Sequence, residues 1–400
     1  MTGMPPTCIS SGSFVAWSRT PRTVYAAPRD PRMVVVILRG ALDGLAVVPP
    51  IGDPNYARLR GELAIGVAGI GRILSLDGFF SLHDAMRTLH AHYVAGDTLI
   101  VHAVATPYRD RSHFDGQDVL ESGMPGPRDT VSGWLNRAVL ELPVGDQIEV
   151  ARPVGLAISP TVPLIFRGAA PTLTWTPPNF QSASPDTQSR LLELYGEIDP
   201  ALLRAFVEGR EIDSLSGHGD VPVPRTKTAG PSFREAAEGA AKLLAAESGP
   251  RIAALVFDGW DTHANEGAEH GKLARLLAAL DDALDGLASG LKSVWHDTVI
   301  VVITEFGRTA RINGNEGTDH GTATTAFLMG GAVKGGRVVA DWPGLGNSQL
   351  HQGRDLMPTT DLRAVLKGLL RDHLGVSEFA LSQRVFPSSI AVRPLNGLIG

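Results

Sequence analysis

Thr298–Thr304, TVIVVIT, is an apolar run too short to cross a membrane and too β-branched for a typical helix. It reads as a strand buried on both faces, the kind a parallel sheet requires. The chemistry changes at once after it. Glu305, Arg308, Asp319 and His320 follow, separated by Gly307, Asn313, Gly314, Asn315 and Gly317. In open α/β sheets, ligands bind just beyond the carboxyl ends of the strands, and this stretch fits that placement.

The same pattern recurs three times upstream. Met33–Leu38 (MVVVIL) runs into Arg39-Gly40-Ala41-Leu42-Asp43-Gly44. Asp43 is placed to bind a metal or substrate, and equally to make a plain Asp-Gly turn. Thr98–Val104 (TLIVHAV) runs into a loop carrying Arg111, Ser112 and His113. Ser112 fits a helix N-cap, or a hydroxyl nucleophile activated by a metal. Ile252–Phe257 (IAALVF) ends in Asp258-Gly259-Trp260-Asp261-Thr262-His263. Two carboxylates and an imidazole so close together form a reasonable ligand set for zinc, manganese, magnesium or calcium. The plainer alternative is that Asp261 caps the next helix while His263 packs on it. Arg111 and Arg308 are candidates for neutralising an anion, and equally for surface positions. His113 and His320 are candidates for general acid/base work.

Helical spacing appears over Leu82–Tyr93, Val131–Leu142, Gln188–Tyr195, Pro200–Val207, Ser232–Ala246, Leu273–Leu291 and Asp361–Leu374. Further strands are expected at Ile148–Val154, Thr172–Trp175 and Ala326–Met329, and a polar surface loop at Gly209–Pro231. Strands alternating with helices imply an α/β fold: a doubly wound, mostly parallel sheet with helices on both faces. Residues 32–390 are expected to form one such domain, with a cap or insertion within about 145–231. Residues 1–31 read as a tail or an eroded export signal, with neither an apolar core nor a twin-arginine pair.

Exclusions come from composition. A net charge of −6 offers no global basic footprint for nucleic acid. No run of apolar residues is long enough for a membrane span. Cys8 is the only cysteine, so no intramolecular disulfide can form.

The stretches LRGALDGL, SHFDGQ, FDGWDTHAN, TEFGRT and GTDHGTATTAFLMGGAVKGG together resemble the DUF1501 family, a bacterial group, over about Arg32 to Gly375. That family in turn resembles the alkaline phosphatase/sulfatase superfamily. The resemblance implies an alkaline-phosphatase-like sheet, divalent metal ions at the strand ends, and a small anionic phosphate or sulfate ester as substrate. It implies Ser112 as nucleophile and Asp43, Asp258 or Asp261, His263, Glu305, Asp319 and His320 as metal ligands. Phe306 stands where the superfamily has a ligating His after the acid. The competing expectation is a non-catalytic member that keeps the fold and binds a ligand or partner protein. The family's twin-arginine export implies a periplasmic or exported protein where a signal lies upstream, and a cytoplasmic one otherwise.

Overall fold

The computed structural model describes residues 29–67, 71–128, 130–143, 155–177, 203–204, 207–208 and 233–400. The expected strand at 148–154, the helix at 188–195, most of that at 200–207, the loop at 209–231 and residues 1–28 of the tail lie outside them.

Along the chain run β1 (Arg32–Arg39), α1 (Gly44–Val47), α2 (Tyr56–Arg60), β2 (Ile73–Ser75), β3 (Ser81–His83), α3 (Arg87–Ala95), β4 (Thr98–Ala105), α4 (His113–Ser122) and α5 (Trp134–Leu140). After these come β5 (Gly155–Ile158), β6 (Thr172–Trp175), α6 (Phe233–Ala245), β7 (Ile252–Asp258), α7 (Lys272–Gly290) and β8 (Thr298–Thr304). The chain continues through β9 (Thr324–Met329), β10 (Arg337–Val339), β11 (Thr360–Asp361) and α8 (Leu362–Asp372).

The main sheet has the order β10-β4-β9-β8-β1-β7-β5-β6, with β11 also on β4. Side chains alternate across a strand, and both sides of β1 are buried. Val34, Val36 and Leu38 face one core layer with α3, α6 and α7. Met33, Val35 and Ile37 face the other with α5 and α8. A strand covered on both faces has no polar side to show, which is why its sequence is a continuous apolar run. The leucine stripe of α7 is spent on the first layer: Leu273, Leu277, Leu280, Leu284 and Leu287 are all buried.

β1 pairs in parallel with β7 and with β8. β9 is the exception, antiparallel to both β8 and β4. It therefore starts at the edge where β8 ends, and residues 305–323 stay at that carboxyl edge. A second difference from expectation lies at 82–93. Leu82 belongs to β3, which pairs with β2, and the helix begins only at Arg87. The helix expected over 131–142 is shorter, Trp134–Leu140. Among the described residues, no helix is long and apolar enough to cross a membrane.

Candidate metal centre

The loops that leave β1, β4, β7 and β8 meet at the carboxyl edge. The β1 loop can approach only through Gly40. Its φ is +122°, and a Cβ there would lie 2.4 Å from the Asp261 nitrogen. Only glycine tolerates both. The Gly40 N–H in turn donates to Glu305 Oε1 at 2.9 Å.

Glu305 is fully buried at the end of β8. Oε1 also accepts from His113 Nδ1 at 2.8 Å and from Gln117 Nε2 at 3.2 Å, and Oε2 accepts from Thr304 Oγ1 at 2.8 Å. Burial works against its charge, but His113 and the other donors outweigh it and hold the carboxyl below its usual range. The hydrogen bond to Glu305 raises the His113 pKa. With Nδ1 donating to the carboxylate, His113 presents Nε2 to the cleft. That atom is buried, has no hydrogen-bond partner, and lies 3.6 Å from Asp261 Oδ2.

His320 is oriented the same way from a different anchor. Its Nδ1 lies 2.9 Å from the Arg111 carbonyl oxygen. A carbonyl only accepts, so the proton sits on Nδ1 and the lone pair on Nε2. Burial first, then the neighbouring His113, lower the His320 pKa. Arg111 has φ +60°, and Asp355 pins its side chain at 2.8 Å from Nε and 2.7 Å from Nη2.

His263 completes the pattern. Its Nδ1 meets Asp319 Oδ1 at 3.2 Å, and Asn313 Nδ2 donates to that oxygen at 3.1 Å. The Asn313 bond, helped by His263, holds the Asp319 carboxyl below its ordinary value. His263 Nε2 lies 2.9 Å from His320 Nε2 and 3.1 Å from Asp261 Oδ1. Asp261 is held from behind by Arg308 Nη1 at 2.7 Å. Partial burial opposes its charge, Arg308 more than compensates, and its pKa falls. Arg308 is itself buried and clamped: Nε donates to Thr318 Oγ1 at 3.1 Å, and Nη2 to the Thr318 carbonyl.

Three imidazoles thus expose Nε2 because an acceptor occupies each Nδ1, the outer arrangement common around histidine metal ligands. His113, Asp261 and His320 offer ligand atoms that all lie within 4.8 Å of one another. The unpartnered His113 Nε2, with the His320 Nε2 and the Asp261 carboxylate beside it, fits a divalent ion.

Other expected residues sit elsewhere. Asp43 lies apart from this cluster, and its oxygens are taken. Oδ1 accepts from the Leu45 and Ala46 N–H groups as the cap of α1, and Oδ2 meets Arg60 Nη2 at 2.5 Å, both side chains being buried. Asp43 thus serves as N-cap and ion-pair partner, outside the His113, Asp261 and His320 group. Asp258 is exposed, opposite Arg39 at the end of β7, and the β7-end carboxylate in the cluster is Asp261. Glu305 and Asp319 orient imidazoles. Arg308 is buried and Arg111 partly buried, and Asp261 and Asp355 engage them. Ser112 occupies the N-cap position of α4, yet its side chain makes no capping bond. Sequence reasoning missed Arg60, Asp355, Thr318 and the Arg111 carbonyl. Arg60 and Asp355 lie in tracts with no apolar rhythm, and within the strand-end loops nothing local marks Thr318 or the Arg111 carbonyl.

The family model described as "Protein of unknown function (DUF1501)" matches residues 94–385. This chain belongs to the DUF1501 family. No curated protein sequence matches it. Among solved structures, this DUF1501 chain resembles the lipoteichoic acid synthase LtaP from Listeria monocytogenes, with a TM-score of 0.40 and 10% identity over 91% of this chain and 76% of that one. It also resembles the alkaline phosphatase from the Antarctic bacterium TAB5, with a TM-score of 0.35 and 10% identity over 78% and 95%. A third likeness is to the C-terminal periplasmic domain of EcEptC from Escherichia coli, in complex with Zn, with a TM-score of 0.36 and 11% identity over 91% of each chain. These likenesses are remote. The fold of this DUF1501 chain is defined by its own strand order.

Proposed function

We propose that this chain is a metal-dependent hydrolase or transferase acting on phosphate or sulfate esters, with Ser112 as the attacking hydroxyl. The observation that carries the reading is the convergence of His113 Nε2, His320 Nε2 and the Asp261 carboxylate at the carboxyl edge of the sheet. A bound divalent ion supplies Lewis acidity toward an anionic ester and lowers the pKa of a nearby hydroxyl.

The protein's own groups do the rest. Glu305 holds the His113 ring with Nδ1 protonated, and Arg308 fixes Asp261. Ser112 precedes His113 by one residue, and its uncommitted hydroxyl is consistent with a nucleophile rather than a cap. It opens α4, whose first-turn N–H groups and dipole favour an anion. With both arginines engaged, neutralising the ester oxygens falls to these N–H groups and the ion.

The test is metal analysis of the purified full chain before and after chelation, with turnover of p-nitrophenyl phosphate and p-nitrocatechol sulfate. Bound metal, turnover lost on chelation and restored by the ion, and no detectable turnover in Ser112→Ala are expected. No metal, and a melting temperature unmoved by chelator, would refute the proposal and leave a non-catalytic binding member of the fold.

A further inference from the structure

We propose that Arg354 is a substrate-reading residue, and that it takes a second anionic group carried on the organic part of the ester. The proposal rests on the proposed function and narrows its substrate class to esters with two separate anionic groups.

Arg354 ends a strained turn. Its N–H donates to the His351 carbonyl at 3.1 Å, and both residues between them are left-handed, Gln352 at φ +54° and Gly353 at φ +66°. Glycine adopts that backbone freely, whereas glutamine is strained in it. What glutamine adds is its side chain, whose Oε1 accepts from Arg111 Nη2 at 2.8 Å. Strain kept beside a candidate site marks a geometry that function uses. The turn is also tied to the loop after β8. The Ala310 N–H donates to the Arg354 carbonyl at 3.1 Å. The neighbouring Thr309 bonds Asp319 in both directions, at 2.9 and 3.0 Å. Arg354 is thereby fixed beside Asp319 and His320.

Its charge is left over. Asp355 is fully buried, and two guanidiniums share its one negative charge. Arg111 Nε and Thr322 Oγ1 both donate to Asp355 Oδ2, each at 2.8 Å. Arg354 Nη1 lies 3.2 Å from Oδ1, an atom with no hydrogen-bond partner, so that contact is electrostatic only. The trio therefore carries one surplus positive charge. The Arg354 side chain is 40% exposed, whereas that of Arg308 is buried. The Arg354 charge also reaches Asp319, adding to the Asn313 and His263 bonds that hold that carboxyl below its ordinary value. Asp319 Oδ1 is itself committed to those two partners.

Depth decides what such a guanidinium meets. In the proposed function the transferred group lies against His113, His320 and Asp261. A cation on an exposed turn meets the part of the substrate that stays outside. Its fork of N–H donors matches a carboxylate or a phosphate there.

The experiment measures, by calorimetry on the full chain as purified, the binding of phosphonates that cannot be hydrolysed. Phosphonoacetate and phosphonobutyrate carry a second anionic group; ethylphosphonate and butylphosphonate do not. At low salt, at least one of the carboxylated compounds should bind about fivefold more tightly than its plain counterpart. High salt should shrink that preference. Arg354→Met should abolish it, and Arg354→Lys should keep part of it. Equal affinities at both lengths, no binding of any phosphonate, or a preference that survives Arg354→Met would overturn the proposal. Should p-nitrophenyl phosphate turnover persist in that case, and be lost in Ser112→Ala, the hydrolase reading stands without it. A preference lost in Arg354→Met, in a protein that turns over no ester, would end the hydrolase reading and leave Arg354 as the reader of a bound dianion.

Discussion

Glu266 should be better replaced than kept, above neutral pH. It is fully buried, accepts from Thr318 Oγ1 at 2.6 Å through Oε2, and finds no donor for Oε1. Burial, followed by the charge of Asp43, pushes its pKa from 4.5 up to about 8, against the pull of Arg60. The folded protein therefore keeps a proton that the unfolded chain releases above pH 4.5. For an acid with a raised folded pKa, stability falls as pH rises through this window and levels off above the folded value. At about 1.36 kcal/mol per unit, the loss between pH 4.5 and 7.5 through this one group is roughly 4 kcal/mol. Glu266→Gln mimics the protonated acid. Its amide oxygen still accepts from Thr318, its amide nitrogen donates toward Asp43, and nothing titrates. Urea unfolding at pH 5 and pH 7.5 tests this. Variant and wild type should nearly coincide at pH 5, and the variant should be more stable by roughly 3 kcal/mol at pH 7.5. A difference independent of pH, or a variant weaker at pH 7.5, would show that Glu266 is ionised in the native state.

Asp43 has two duties, and two substitutions separate them. Asp43→Asn keeps a good N-cap and breaks the ion pair with buried Arg60, and Asp43→Ala loses both; unfolding should place the alanine variant about 1 kcal/mol lower, and equal stabilities would deny the cap. Asp355→Asn should release Arg111 and, through its carbonyl, His320, weakening divalent-metal binding about tenfold in a chelator competition; an unmoved affinity would mean the backbone at φ +60° holds itself. His102 is buried and pushed down to about 4, chiefly by burial, so it stays neutral when the unfolded chain takes up a proton below 6.5. The His102 contribution to stability should therefore drop by roughly 3 kcal/mol as pH falls from 6.5 to 4, so the difference between wild type and His102→Gln should change by that amount across the window.

The central strands were legible because burial on both faces leaves only apolar residues to choose from, as in Met33–Leu38 and Thr298–Thr304. The same uniformity hides direction. TTAFLM looks alike pointing either way, so the reversal of β9 had to come from the structure. In the site, imidazoles just past strand ends were visible, since His113, His263 and His320 follow β4, β7 and β8. The roles of acids were not. An Asp beside Gly serves a metal, a turn or a cap equally well, and what decided Asp43 was a guanidinium 17 residues on, in a tract with no apolar rhythm. Asp258 and Asp261 are equally plausible in sequence. In the structure Asp258 is exposed and Asp261 joins the cluster. Leu82 fitted a helical stripe, and its true partner is the short strand Ile73–Ser75, a pairing that no local period records.

The reversal of β9 has a practical corollary. The segment between Thr304 and Thr324 leaves and re-enters the sheet on the same side, clasped by two interior strands. A protein engineer could exchange that segment for another of similar span without cutting a ladder in the sheet beneath. One share of the candidate site, His320 with Glu305, Arg308 and Asp319, therefore sits in a cassette that can be rewritten while the scaffold stays as it is.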